Sequence, residues 1–171
     1  MKKMTKFFAL AIVMVAFSAT TFAQVSATAT ASATIITPIG ITKTVDMNFG
    51  NIAVGVLGGT VVLVPAGTRT ATGDVTLPAA AGTVTAASFN VTGSGTSTYT
   101  IAITPASTTL TSGANTMSAG LFTSTPSGTG VLAAGAQTVT VGGTLTVGAS
   151  QPAGVYTTLV GSEITVTVNY N

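Results

Sequence analysis

The sequence predicts an all-β chain that folds as an antiparallel sandwich or barrel. Apolar residues recur at every second position in several short stretches, which is the period of a strand with one buried face. Glycine, proline, serine and asparagine separate these stretches at short intervals, as is typical of antiparallel sheets. Beyond residue 23, no stretch carries the apolar spacing of a helix.

Residues 1–23 have the composition of a secretory signal peptide. Three lysines among the first six residues precede an apolar run over residues 7–17, and small residues lead to Ala23. A basic start, a short apolar run and a small residue before the cut are typical of such peptides. The run is too short to span a bilayer comfortably. We expect cleavage after Ala23 and secretion of a chain that begins at Gln24; the alternative is a retained anchor helix.

Most of the basic charge lies in this peptide. The whole chain has five cationic and three acidic side chains, a net charge of +2. Removing 23 of the 171 residues leaves 148, with two cations against three acids, a net charge of −1. The remaining charged residues are Lys43, Arg69, Asp46, Asp74 and Glu163. A basic surface for nucleic acid is therefore not expected. With no cysteine, the domain must be held together by its core and its hydrogen bonds.

Residues 25–35 give the clearest strand pattern in the chain. Every odd position is apolar and every even position is serine or threonine, so one face carries Val25, Ala27, Ala29, Ala31, Ala33 and Ile35. We assign residues 24–36 to an N-terminal strand and residues 37–171 to the β-domain. The strand begins close to the expected mature terminus, where it is free to leave its own domain. It pairs either with its own domain or with a neighbouring copy, and both alternatives stay open.

Further strands follow in order along the chain. Pro38 cannot donate to a ladder, so we expect a break there and a second strand after it. Pro65-Ala66-Gly67 predicts a turn between two strands. The strands predicted in this first half are Ile39–Val45, Thr60–Val64, Thr68–Ala71 and Asp74–Leu77.

The second half of the chain predicts a hairpin and three more strands. The hairpin joins residues 87–91 to residues 99–103 across Gly93-Ser94-Gly95, with Phe89 and Tyr99 facing the core. Residues 139–147 keep one phase through Gly142-Gly143, which predicts one long strand or a tight hairpin. Other strands are expected over Met117–Thr123 and residues 164–170.

The side chains that carry enzymatic chemistry are scarce. The chain has no histidine and no cysteine, and its three carboxylates lie far apart in sequence. Hydrolytic chemistry usually needs a base beside a nucleophile, and zinc needs nitrogen or sulfur ligands. Residues 46–51 place acid and amide groups two apart, as in a calcium loop, but a turn at Gly50-Asn51 explains them more simply. We therefore predict that the protein is not an enzyme and has no catalytic, cofactor or metal site.

An outer-membrane barrel is a further class with alternating strands. Such barrels carry two girdles of aromatic residues, often tryptophan and tyrosine. After residue 23 the chain has six aromatic rings and no tryptophan. Two girdles cannot be built from six rings when Phe89 and Tyr99 are expected in the core, so no membrane span is predicted in the mature chain.

The order of several short motifs carries a family resemblance. They are IGITK (39–43) before MNFG (47–50), then FNVTG (89–93), then GTLTV (143–147), GVY (154–156) and ITVTVNY (164–170). In this order they resemble a family of secreted bacterial domains known only as domain of unknown function 4402. They are similar, more weakly, to the spore-coat-U type domain of archaic chaperone–usher pilins.

The pilin resemblance implies an immunoglobulin-like sandwich that lacks its last strand. In such pilins the groove is filled first by a periplasmic chaperone and then by the N-terminal strand of the next subunit, with an outer-membrane usher assembling the fibre. The resemblance gives residues 25–35 the donor role and gives Ile164, Val166, Val168 and Tyr170 one wall of the groove. This is a form of β-strand addition.

The resulting expectation is a structural subunit of a surface filament, with identical subunits as its partners. Low surface charge fits a chain packed against copies of itself, because little repels one copy from another. The alternative is a self-contained secreted sandwich that acts as an adhesin or binds a surface or matrix.

Overall fold

The computed structural model describes residues 24–171, so the predicted signal peptide lies outside the described residues. The chain divides into two units, residues 1–35 and residues 36–171. Residues 24–39 belong to no strand in the described part of the chain, and residues 24–38 are exposed.

Residues 36–171 form an all-β structure, as predicted. Every ladder is antiparallel. Within residues 24–171 there is no helix long and apolar enough to cross a bilayer. The strands are β1 (Gly40–Val45), β2 (Ala53–Leu63), β3 (Arg69–Thr76), β4 (Ala87–Thr92), β5 (Thr98–Thr104), β6 (Ser107–Ser112), β7 (Asn115–Thr125), β8 (Thr129–Val131), β9 (Ala136–Val147), β10 (Thr157–Thr158) and β11 (Thr165–Tyr170).

The strands form a large sheet and a small sheet. The large sheet has the order β1-β4-β9-β7-β6-β10, and the β2–β3 hairpin also joins it through β9. The long strand β9 pairs with β4 over residues 136–141 and with β2 over residues 143–147. The small sheet has the order β11-β5-β8.

The two sheets face each other across an apolar cluster that we call the upper core. It combines residues of both sheets, which makes the arrangement a sandwich. Ala87, Phe89, Val91, Val139 and Val141 come from the large sheet, Tyr99, Val166 and Val168 come from the small sheet, and Leu132 follows β8. A second cluster, the lower core, lies along the other half of β9 and contains Phe49, Val61, Leu63, Val75, Ala119, Leu145 and Val147.

The predicted hairpin between residues 87–91 and residues 99–103 is wrong. Both strands exist, but β4 pairs with β1 and β9, whereas β5 pairs with β11 and β8. The connection between them crosses from one sheet to the other, so the strands face each other across the core. Phe89 and Tyr99 are both buried, as expected. Alternation fixes which face is buried, but it does not distinguish a neighbour in the sheet from a partner across the core.

Most other sequence predictions for strands are confirmed. Residues 136–147 form one strand, which decides between the long strand and the hairpin at Gly142-Gly143. The turn at Pro65-Ala66-Gly67 is present, with Gly67 at a φ of 84° and Val64 N donating to Thr68 O at 3.0 Å. Two predicted strands, residues 68–71 and 74–77, are one strand, β3. The sequence pattern did not reveal β6, β8 and β10.

Candidate functional site

Strands β1 and β11 are edge strands of the large and the small sheet, and they approach each other at one border of the sandwich. Within residues 24–171, β1 pairs only with β4 and β11 pairs only with β5. The two strands approach each other but share no ladder in this part of the chain. Each therefore presents one side of unpaired backbone, and we call these two sides the open edges.

The hydrogen-bond register shows which groups the open edge of β11 presents. Asn171 N donates to Thr98 O at 3.2 Å, and these residues continue the β11–β5 register. In an antiparallel pair, bonded and non-bonded residues alternate. Val166, Val168 and Tyr170 are therefore the residues whose N–H and C=O groups point away from β5. Their side chains point into the sandwich, where Val166 and Val168 are buried and Tyr170 is half-buried.

Tyr170 ties the two ends of the domain together. Its hydroxyl donates to Thr37 O and accepts from Ser94 N, both at 2.7 Å. Gly93 permits this arrangement, because a Cβ there would collide with the Tyr170 hydroxyl. The start of β1 and the end of β11 are thus held at one end of the sandwich, which we call the Tyr170 end.

A cleft of about 1140 Å³ opens beyond the other end of β11. Its lining reaches from the end of β1 to Ile164 and includes much of the lower core. Apolar side chains dominate the walls: Met47, Phe49, Val54, Phe89, Leu110, Met117, Leu145, Val147 and Ile164. The volume slightly exceeds the usual range for ligand pockets, about 300–1,000 Å³.

One long loop after β9 supplies part of the cleft wall. Gln151 Nε2 donates to Thr116 O at 3.1 Å and to the Tyr156 hydroxyl at 2.9 Å. That hydroxyl donates in turn to Pro152 O at 2.8 Å. The Tyr156 ring is therefore fixed in the wall by hydrogen bonds at its polar end. The motif GVY (154–156) contributes to the family resemblance, but its residue types alone do not predict a cleft.

The charged side chains of residues 24–171 make local contacts. Lys43 Nζ donates to Asp46 Oδ1 at 2.6 Å, and Asp74 accepts from Leu57 N at 3.2 Å. Glu163 accepts from Gly161 N at 2.8 Å. Arg69 donates to the carbonyls of Phe49, Asn51 and Ala81 and so holds the chain around Gly50.

The turn at Gly50 also accounts for the residues with a calcium-loop spacing. Asn48 Oδ1 accepts from Gly50 N at 2.8 Å, so this amide is used within the turn. Over the described residues, no three acidic, histidine or cysteine side chains come together in a way that could hold a metal ion. The arrangement is that of a turn.

Tyr99 is the one ionisable group of the upper core. It is fully buried, and its hydroxyl donates to Gln137 Oε1 at 2.6 Å. Burial raises its pKa above the ordinary value of 10.0, because the ionised form would lose its hydration. Tyr99 is therefore a neutral core residue with a satisfied hydroxyl.

The predicted site residues fall into two groups. Val166 and Val168 are buried and Ile164 and Tyr170 are half-buried, in alternation with exposed residues, and their role as a groove wall stays a prediction. Residues 25–35 have no ladder partner among the described residues, and Val25 and Ile35 are 93% and 98% exposed. The role of this segment as a donor strand and the alternative of pairing with its own domain both stay predictions.

Comparison with known proteins gives a family. A family model described as a domain of unknown function (DUF4402) matches residues 39–170. The search of curated proteins finds no match, and the search of solved structures finds none. The matched residues run from just before β1 to the last residue of β11, so the family model spans both sheets and both open edges. The chain belongs to the DUF4402 family.

Proposed function

We propose that this protein is a structural subunit of a bacterial surface filament that is assembled by strand addition. Residues 25–35 of one copy add to the open edge of β11 in the next copy, between β11 and β1. The observation that carries the proposal is the pair of open edges at the border of the sandwich. An unpaired edge with buried side chains beneath it is a ready template for another strand.

The strand order supports an immunoglobulin-like sandwich that lacks its last strand. In that fold, strands A, B, E and D form one sheet and strands C, F and G form the other. The order β1-β4-β9-β7 corresponds to A-B-E-D, and β11-β5 corresponds to F-C. The position of strand G, beside β11, is the proposed place of the added strand.

The direction of the added strand determines what assembly forms. β11 runs toward the Tyr170 end, so a strand added antiparallel to it runs away from that end. Its last residue, Ile35, then lies at the opposite end, where the next subunit begins with its own Tyr170 end. Every subunit repeats this step, and a head-to-tail contact that does not close grows into a fibre.

The opposite direction would give a different product. A strand added parallel to β11 would end at the Tyr170 end and bring two such ends together. Two copies arranged in this way exchange strands reciprocally and close as a dimer. A filament therefore requires antiparallel addition to β11.

The proposal includes partners and a location. The expected signal peptide directs the chain out of the cytoplasm, and assembly takes place at the cell surface. A periplasmic chaperone covers the open edge of β11 before assembly, since an exposed edge invites uncontrolled association. An outer-membrane usher then orders the addition of subunits.

A comparison of two aspartate variants tests the proposal. Ala29→Asp places a carboxylate on the face that enters the groove, where it has no partner. Thr28→Asp, its matched control, adds the same charge on the outward face. We expect fibres from the mature chain and from Thr28→Asp, and monomers or short species from Ala29→Asp and from a deletion of residues 25–33.

Light scattering and electron microscopy of purified protein measure the outcome. Fibres of normal length from the deletion would show that another surface drives assembly. A strict monomer from the intact mature chain at high concentration would instead favour the self-contained secreted adhesin.

A further inference from the structure

The open edge of β11 is shorter than the segment that is proposed to pair with it. Strand β11 has six residues, and Ile164, the residue just before it, extends the stretch to seven, whereas the alternating segment from Val25 to Ile35 has eleven. Full pairing therefore leaves four residues beyond the edge, a length of ~13 Å at ~3.3 Å per residue. The cleft opens beside Ile164, on the side to which these residues extend.

We infer that Ile35 of each subunit anchors in the cleft of the preceding subunit, while the alanines of the same strand cover the upper core. This inference rests on the proposed filament and gives its register. Val25 lies opposite Tyr170, Ala31 lies opposite Ile164, and residues 32–35 extend over the cleft.

The sizes of the donor side chains match the two parts of the proposed groove, which are the edge beside β11 and the cleft. Beside β11 the upper core is already closed in the isolated domain, since Val166 and Val168 are 7% and 8% exposed. Only a small side chain fits over such a surface without displacing it. Ala27, Ala29 and Ala31 meet this requirement.

The cleft, in contrast, can accept a large side chain. It is a large space whose walls carry polar and charged side chains as well as the half-buried apolar Met117, Leu110 and Ile164. Ile35 is the largest side chain on the inward face of the segment, and it is 98% exposed in the isolated chain. Burial of such a side chain removes much more apolar surface from water than burial of an alanine, which gives the otherwise alanine-rich strand an anchor.

Other registers lose one of these matches. If the donor strand is shifted by two residues toward the Tyr170 end, Val25 lies beyond the edge of β11 and Ile35 lies farther from the cleft. A shift of two residues the other way leaves the backbone of Tyr170 unpaired. The register that starts at Val25 is the one that uses the whole edge and the whole alternating segment.

Cross-linking between copies tests the register directly, because the chain contains no cysteine. Filaments of a chain with Ile35→Cys and Met117→Cys are treated with a short bifunctional maleimide. The control chain carries Val25→Cys and Met117→Cys. We expect ladders of covalent oligomers from the first chain and none from the control, whose two cysteines lie at opposite ends of the groove.

The outcomes separate this inference from the proposed function. Filaments that cross-link through Val25 and Met117, or that cross-link with neither pair, would overturn the register and leave the filament proposal standing. If the unmodified mature chain forms no filaments, the proposed function fails and the inference falls with it.

A second measurement uses side-chain size instead of cross-links. Leucine at position 29 overfills the upper core, whereas leucine at position 33 points into the cleft. We expect Ala29→Leu to speed subunit dissociation on the order of 10-fold and Ala33→Leu to leave it unchanged or slower. Ile35→Ala should speed dissociation on the order of 30-fold.

Tighter filaments from Ala29→Leu would show that the groove beside β11 accepts bulk, and would overturn the inference. These substitutions all fall on residues that are exposed in the isolated chain. Circular dichroism of the monomers should therefore show unchanged folding, which keeps the dissociation rates interpretable.

Discussion

The upper core and the lower core are built from similar aliphatic and aromatic residues but are covered differently. The upper core lies between two sheets, and its central side chains are removed from solvent. The lower core lies against one half of β9 and the β2–β3 hairpin, and the cleft of about 1140 Å³ leaves part of it without a packed partner. The sandwich is thus complete over one half of its length and open over the other.

This difference matters because two leucines with the same exposure should respond differently to truncation. Leu132 in the upper core and Leu145 in the lower core are each 1% exposed. The cost of a core truncation depends on whether the space left behind can be refilled by neighbours or by water. The following predictions compare the two halves, beginning with the largest effect.

Truncation of the central ring of the upper core should have the largest effect. Tyr99 is 0% exposed and packs beneath β8, where a Cβ on Gly130 would collide with its ring. We expect Tyr99→Ala to lower the free energy of unfolding by about 3–5 kcal/mol in urea titrations. A loss below about 1 kcal/mol would mean that the upper core is not the main source of stability.

The two leucines give the sharpest comparison. We expect Leu132→Ala to cost about 4 kcal/mol and Leu145→Ala about 2–3 kcal/mol, within the range measured for buried leucines. The cavity left at Leu145 opens to the cleft and can be hydrated, whereas the cavity left at Leu132 is enclosed. Equal losses in paired urea titrations would contradict the distinction between the two cores.

The Tyr170 hydroxyl should contribute less than either core. Tyr170→Phe keeps the ring but removes the bonds to Thr37 O and Ser94 N, and we expect a loss of about 1–2 kcal/mol. Tyr170→Ala should cost more, about 2–3 kcal/mol, because the half-buried ring also packs against the upper core. If the phenylalanine variant has an unchanged melting temperature, these two hydrogen bonds do not hold the Tyr170 end.

Alkaline pH should produce the smallest and most specific effect. The pKa of Tyr99 is raised above 10.0 by burial, so the folded state favours the protonated hydroxyl. Its contribution to stability is complete below the unfolded pKa and falls as pH rises through the folded pKa. We expect the free energy of unfolding to decrease above about pH 10 and the decrease to be smaller in Tyr99→Phe. An identical decrease in both proteins would assign it to other groups.

Within residues 36–171 the sequence was sufficient for several strands whose two faces differ, although residues 25–35, which alternate most regularly, form no strand in the described chain. β11 alternates valine with threonine or asparagine, and its buried face is the predicted one. β6 escaped prediction because serine and threonine occupy both of its faces around one leucine, Leu110. Its position is set by pairing with β7, and this information is not local.

The pairing of the strands and the position of the cleft were harder to predict from the sequence than the strands themselves. The glycines between β4 and β5 correctly indicated a change of chain direction. Such a change occurs both in a hairpin and in a connection that crosses between two sheets, so the glycines do not distinguish the two. The cleft could not be read from the sequence because it is formed where residues distant in the chain leave a gap. Its walls come from the end of β1, from β6, β7 and β9, and from the loop that contains Tyr156.

The hydrogen bond from Tyr170 to Thr37 has a mechanical consequence for the proposed filament. Ile35 is anchored in one subunit and Thr37 is clamped in the next, so Ile36 alone joins the two fixed points. Tension along the fibre would then load the added strand parallel to its own axis. All its backbone hydrogen bonds would resist in shear at the same time, instead of opening one after another. A joint of this kind would transmit force along the proposed fibre with little slack.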